Sequence, residues 1–334
     1  MQNEDLLSDV EALGAKLAEA RKMVGRKIMG QDRVVDLTLA AVLAGGHALL
    51  IGLPGLGKTR LVETLGTVMG LHDGRIQFTP DLMPSDILGA EVLEESDTGA
   101  RSFRFIKGPV FCELLLADEI NRASPRTQSA LLQAMQEHEV SIAGQTHNLG
   151  EVFHVLATQN PLEQEGTYPL PEAQLDRFLV QIDVDYPDRD AERDILLATT
   201  GTEDASVSPI FSRAELIAAQ TLLRRMPVGE SVVEAILDLV RACRPDDPSA
   251  PQIIRDNVSW GPGPRATQAL MLLARARALL DGRLAPGIDD IHALAAPVLS
   301  HRMALGYAAR AEGLTVSDVI GQTVASVLQT EAAA

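Results

Sequence analysis

Gly52, Leu53, Pro54, Gly55, Leu56, Gly57, Lys58 and Thr59 fit the pattern G-x-x-x-x-G-K-[ST] behind a short apolar run. Such a loop holds phosphate because its glycines let successive backbone N–H groups curl around the oxygens. Lys58 adds a cation for the outer phosphates, and the Thr59 hydroxyl is a ligand for Mg2+. The helix expected to follow directs its positive N-terminal end to the same place. Further on, the apolar residues Leu114, Leu115, Leu116 and Ala117 end in Asp118 and Glu119. A carboxylate at a strand end can hold the metal through water, and its neighbour can orient or deprotonate an attacking water. An apolar run before two acids is common by itself; behind a phosphate loop it completes a phosphoryl-transfer site.

Three further polar groups fit the same chemistry less sharply. Asn160 precedes Pro161 at the end of another apolar run. It can hydrogen-bond the γ-phosphate or the attacking water, or simply form an Asn-Pro turn. Arg177 can neutralise charge on a transferring phosphoryl group, in its own subunit or a neighbour's, or pair with Asp176 at the surface. Arg265, after Gly261, Pro262, Gly263 and Pro264, opens a helix and can reach a nucleotide from the lid side. The alternative is a solvated first-turn residue, slightly unfavourable for a cation.

These groups need elements to position them. Residues 5–27 read as a charged amphipathic helix, broken at Gly30 and Gln31, 32–44 as a second helix, and 47–51 as a strand. Strands are expected at 75–79, 111–117, 152–158 and 178–184. The run at 111–117 is apolar enough to be buried on both faces. Residues 124–137 read as a helix with Ser124 as N-cap and Pro125 at its first position. This alternation predicts an α/β fold with a parallel sheet flanked by helices. Two hairpins interrupt it, at 87–106 with a turn at Asp97, Thr98 and Gly99, and at 139–149 with a turn near Ala143, Gly144 and Gln145. Phe103 and Phe105 share one face of the first; they could grip a substrate, but are expected rather to pack the hairpin onto the core. After Tyr186 and Pro187, helical periodicity dominates at 189–200, 213–224, 229–243, 265–281 and 289–300, giving a second, all-helical domain.

Composition narrows the function. The chain has 334 residues, enough for two domains, and a formal charge of -17. That charge repels nucleic-acid phosphates and disfavours DNA binding. Two cysteines, Cys112 and Cys243, make no disulfide framework, and the seven histidines show no zinc-ligand spacing. No apolar stretch is long enough to span a bilayer. Residues 1–9 are acidic without the apolar run of a signal peptide, so the cytoplasm is the default compartment.

Taken in order, Gly30 and Gln31, the glycine loop, Asp118 to Arg122, Ala157 to Pro161 and Gly166 to Phe178 resemble the MoxR family of AAA+ ATPases over roughly residues 10–305. The resemblance implies an N-terminal helix over 1–27, a P-loop AAA+ core over 28–186 carrying both hairpins as inserts, and a small helical lid over 187–334. It implies that Ile28, Gly30 and Gln31 lie near the adenine. Gly52, Pro54, Gly55, Leu56, Gly57, Lys58, Thr59 and Arg60 would form Walker A, and Asp118 and Glu119 Walker B. Thr59 and Asp118 would hold Mg2+. Asn160 would be sensor 1, Arg177 an arginine finger for the adjacent subunit's ATP, and Arg265 sensor 2. Arg122 and Arg126 stand nearby without an assigned side. The family likeness further implies a ring, a hexamer, with a chaperone-like role towards a client metalloenzyme or other complex. A partner with a von Willebrand factor A domain is part of that picture. The competing readings are a DNA-dependent motor, the ATPase subunit of a magnesium chelatase, and a non-catalytic nucleotide-dependent scaffold.

Overall fold

The computed structural model describes residues 2–95, 101–163, 166–201 and 206–328. Five strands, β1 (Ala48–Gly52), β2 (Asp73–Gln77), β3 (Leu114–Asp118), β4 (His154–Gln159) and β5 (Val180–Val184), form one parallel sheet in the order β2-β3-β4-β1-β5. From β1 the chain crosses to the far edge and returns strand by strand. The inner strand β1 is thus flanked by β4 and β5, and every carboxyl end emerges at one rim, where ligands of open α/β sheets bind.

Parallel strands need cover on both faces. Their alternation divides the apolar side chains cleanly. Leu50, Leu114, Leu116, Leu156 and Ile182 enter one core, and Leu49, Leu115, Ala117, Val155 and Ala157 the other. The second core is closed by helix Pro125–Glu137, where the Ser124 hydroxyl accepts from the Thr127 amide at 3.4 Å. The first core is larger. It takes in helices Gln2–Gly25, Asp32–Leu43 and Lys58–Met69 and continues into Arg213–Arg225, Glu230–Ala242, Pro264–Leu280 and Ile288–Leu299. Apolar packing therefore runs without a break past residue 187. Among the described residues the C-terminal part is helical with one addition, a short antiparallel pair of Val258–Trp260 with Ala304–Leu305. Its last described element is helix Val316–Leu328.

Both hairpins form. Gly89–Glu95 pairs with Arg101–Lys107, although the expected turn at residues 97–99 lies outside the described residues. Glu139–Ile142 pairs with Gln145–Asn148 through Ala143 (φ 47°) and Gly144 (φ 82°), the positive-φ pair that a tight two-residue hairpin turn demands. The Phe103–Phe105 expectation needs correction. Phe105 stacks on His147 of the second hairpin at 3.9 Å and meets Phe111 edge-on at 5.6 Å, but Phe103 is 71% exposed. Only the base of the ribbon lies against protein, so two residues of one face meet different surroundings.

Three histidines are sealed inside. His47 joins the start of β1 to Met135 O (3.1 Å) and the Val155 amide (3.0 Å), His154 contacts Gly46 O (3.0 Å), and His301 contacts Phe178 O (3.0 Å). Burial lowers His47 and His301 from 6.5 to about 3 and His154 to about 4. The unfolded chain takes up protons near pH 6.5 that the fold refuses. Their contribution to stability is therefore complete above pH 6.5 and is lost as pH falls towards 4. The expected loss is on the order of 1 kcal/mol per pH unit per histidine. Urea midpoints recorded from pH 7 to pH 5 should fall steeply; a level profile contradicts this account.

Candidate nucleotide site

The glycine loop leaves β1 and enters helix Lys58–Met69 at the rim of the sheet. Gly55 (φ 84°) and Gly57 (φ 76°) take left-handed conformations that other residues adopt only under strain. At Gly52 the reason for glycine is contact rather than conformation: a Cβ there would lie 2.5 Å from Val184 O on β5. Lys58 Nζ bonds Gly52 O and sits 3.2 Å from Leu53 O, bracing the loop from within. Burial lowers the Lys58 pKa, while Asp118 and Glu119 pull it back up.

Lys58, Thr59, Asp118, Glu119 and Asn160 all line one cleft of about 470 Å³. The register of β2 against β3 sets Gln77 beside Asp118. Arg75 then reaches Asp118 Oδ2 (2.7 Å) and Gln77 Nε2 reaches Glu119 Oε2 (2.8 Å). The buried Thr158 hydroxyl donates to Asp118 Oδ1 (2.7 Å) and accepts from the Glu119 amide (2.9 Å), tying the ends of β3 and β4 together. Glu119 itself is left-handed (φ 57°, ψ 50°), a costly backbone for a non-glycine residue. Its Oε2 also meets Arg122 Nε at 3.2 Å, and Arg122 pairs with Glu163. Asn160 Oδ1 accepts from the Leu162 amide at 3.2 Å, so its side chain shapes the local turn while facing the cleft.

A second, more apolar cleft of about 790 Å³ adjoins the first, sharing Pro54, Gly55, Gly57 and Arg60. Ile28, Gln31 and Leu56 line it together with Tyr186 and Leu196. Gln31 Nε2 donates to Leu56 O at 3.2 Å, fastening the 28–31 segment to the loop. Gly30 (φ 70°) lies so close to helix Arg189–Thr200 that a Cβ would fall 2.3 Å from Ala191 Cβ. That helix has no buried residue, and Leu196 is 60% exposed. No local pattern in the sequence marks its role at this cleft, or those of Arg75, Gln77 and Thr158. Arg75 and Gln77 leave one trace in it, as polar residues two apart on a strand.

The ammonium, hydroxyl, two carboxylates and bare glycine amides of the smaller cleft suit a magnesium-bound triphosphate, and the apolar cleft suits a flat base. In this chain taken singly, two of the named arginines stand elsewhere. Arg177 Nη1 donates to Leu132 O (2.6 Å) and does not pair with Asp176. Asp176 is taken by Arg302 (2.8 Å), with Arg265 at 3.8 Å. Arg265 lines neither cleft. It borders a small cavity with His47, Met135, Gln136, Asp176 and Arg177. Packing sets Arg265 there. Helix Pro264–Leu280 shares the first core with Asp32–Leu43 and the N-terminal helix.

Comparisons with known proteins agree with this geometry. Residues 47–180 match the ATPase family associated with various cellular activities (AAA), and residues 251–323 match the AAA lid domain. The chain is 39% identical over 324 residues to the chaperone MoxR1 of Mycobacterium tuberculosis, covering 97% of this chain and 84% of that one. It is 31% identical over 330 residues to protein MoxR of Paracoccus denitrificans, covering 92% and 94%. The solved structure of a candidate ATPase from Cytophaga hutchinsonii is 36% identical, covers 98% of each chain and superimposes with a TM-score of 0.89. The chain belongs to the MoxR family of AAA+ ATPases.

Proposed function

We propose that the chain binds ATP across the two joined clefts and hydrolyses it to ADP and phosphate, using the energy to remodel or activate a protein complex. The observation that carries this reading is the convergence of Lys58, Thr59, Asp118, Glu119 and Asn160 on one cleft at the sheet rim, continuous with an apolar recess. The glycine loop and Lys58 bind the phosphates. Thr59 and Asp118 would hold Mg2+, which neutralises phosphate charge when bound. Glu119, fixed by Gln77 and Arg122, orients the attacking water and receives its proton. Asn160 positions the water or the terminal phosphate. Ile28, Gly30, Gln31 and Leu56 form the base side, with Arg60 between base and phosphates.

Arg177 and Arg265 share a cavity apart from their own cleft, which favours a role at a neighbouring chain's ATP and hence a ring, read here as a hexamer. We assign residues 28–186 to the nucleotide-binding core, 1–27 to a helix preceding it and 187–334 to the helical part. A von Willebrand factor A domain protein as partner, a metalloenzyme or similar assembly as client and a cytoplasmic setting complete the proposal. The exposed first hairpin is the surface it offers them. A DNA motor is disfavoured because Arg101 and Arg104 of that hairpin pair with Glu95 and Glu94. Lys58→Ala tests the reading. Equilibrium titration with ATP and Mg2+ should show affinity reduced about 100-fold, the loss of a charge-assisted phosphate contact. Parental affinity in Lys58→Ala would be incompatible with this site.

A further inference from the structure

Arg302 is among the largest fully buried side chains of the molecule, 1% exposed, and lies in a short helical turn, Ser300–Arg302. Every N–H of its guanidinium has an acceptor. Nε donates to Asp176 Oδ1 (2.8 Å), Nη1 to Leu179 O (3.2 Å) and Val298 O (2.6 Å), and Nη2 to Asp176 O (3.4 Å) and Phe178 O (2.6 Å). Four of these five acceptors belong to residues 176–179, on either side of Arg177. His301 adds a contact to Phe178 O; a carbonyl only accepts, so its Nε2 carries the proton. An arginine cannot shed its charge in a protein and tolerates burial only when fully paired. A lysine, with three donors and no planar fork, cannot repeat this set.

The backbone of this segment is also held by its own turn, with the Asp176, Arg177 and Phe178 amides on Glu172 O (3.1 Å), Gln174 O (3.2 Å) and Leu175 O (3.0 Å), and the Leu179 amide on His47 O (2.8 Å). The Asp176, Phe178 and Leu179 carbonyls and the Asp176 carboxylate go to Arg302, and the Arg177 guanidinium donates to Leu132 O. Asp176, whose one oxygen faces Arg302, turns the other to Arg265 at 3.8 Å. Arg302 thus links the helical part of the chain to the stretch bearing Arg177.

We infer that Arg302, supported by His301, is a positioning residue for ATP hydrolysis between subunits: it clamps residues 176–179 so that Arg177 is presented to the neighbouring chain's ATP. The inference rests on the reading that Arg177 acts in trans. It makes the helical part and the finger one mechanical unit, so a displacement of either is felt at the next subunit's cleft.

The test combines Arg302→Met, Arg177→Ala and Glu119→Gln in the full-length assembly. Arg302→Met should bind ATP within about twofold of the parent, because Arg302 lines neither cleft, while kcat falls about 100-fold, the usual cost of a catalytic group displaced by about an ångström. Mixing it with Glu119→Gln should restore activity, since an intact finger then meets an intact cleft; loss of folding alone cannot be repaired this way. A parental kcat in Arg302→Met overturns the inference. So does a mixture that stays silent while Arg177→Ala mixed with Glu119→Gln recovers. If Arg177→Ala also fails to recover, the trans reading and the inference fall together. Asp176→Asn, which keeps shape but removes the charge facing Arg302, carries the same comparison with a loss of about tenfold should Arg302→Met prove insoluble.

Discussion

Glu119→Gln is expected to hold ATP as tightly as the parent while turning it over about 10²- to 10⁴-fold more slowly, the range for loss of a general base. The amide keeps the shape of the carboxylate and can still meet Gln77, which reaches Oε2 at 2.8 Å in the parent. Nothing that binds phosphate is removed, because Lys58, the glycine loop and Asp118 are untouched. What disappears is the capacity to take a proton from water. The left-handed backbone at Glu119 strengthens the expectation, since such strain persists where surrounding structure holds a side chain in a required direction. Single-turnover ATP hydrolysis beside equilibrium binding is the measurement. A variant hydrolysing ATP at the parental rate would remove Glu119 from the chemistry.

Arg177→Ala is expected to cost about 10³- to 10⁵-fold in kcat, the range of arginine fingers, with ATP affinity of the isolated chain unchanged. The side chain is held by Leu132 O and lines a cavity apart from both clefts. A loss confined to kcat is the signature of a contact made only in the transition state. It should appear only in the assembled protein. The rate per subunit should therefore rise with concentration in the parent and stay flat in Arg177→Ala. A dilution series with both proteins checks this, and a parent whose specific rate is independent of concentration across the assembly range would exclude hydrolysis shared between chains.

Much of the site was legible in the chain because its logic is local. The glycine loop works through backbone N–H groups of consecutive residues, so Gly52 to Thr59 carry their own signature. The paired strands β1, β3 and β4 were readable because sheets buried on both faces require continuous apolar runs, and Asp118, Glu119 and Asn160 stand where those runs stop. The expected strand at 111–117 was observed three residues later, as Leu114–Asp118. Phe111 and Cys112 are apolar for a different reason: Phe111 meets Phe105 and His147 of the hairpins and packs against the second core, and Cys112 is part of that core.

Contacts made by distant segments were not legible. Arg75 and Gln77 reach the two acids through the register of β2 on β3, and Thr158 bonds both across strands far apart in sequence. The apolar recess depends on helix Arg189–Thr200 folding back beside Gly30. Arg265 opens a helix after a glycine-proline segment, and only the fold shows that the buried face of this helix goes to Asp32–Leu43 and carries the arginine to Asp176 of its own chain.

From sequence alone came the phosphate loop, the acids, the parallel sheet and the family, since each depends on residue type at short spacing or on hydrophobic periodicity. Tertiary structure alone decided which carboxylate faces which cation, where the helical part docks, and that a buried arginine from that part grips the residues around Arg177. Those outcomes depend on close packing and on pairing every buried charge, and neither is encoded in any single stretch of chain.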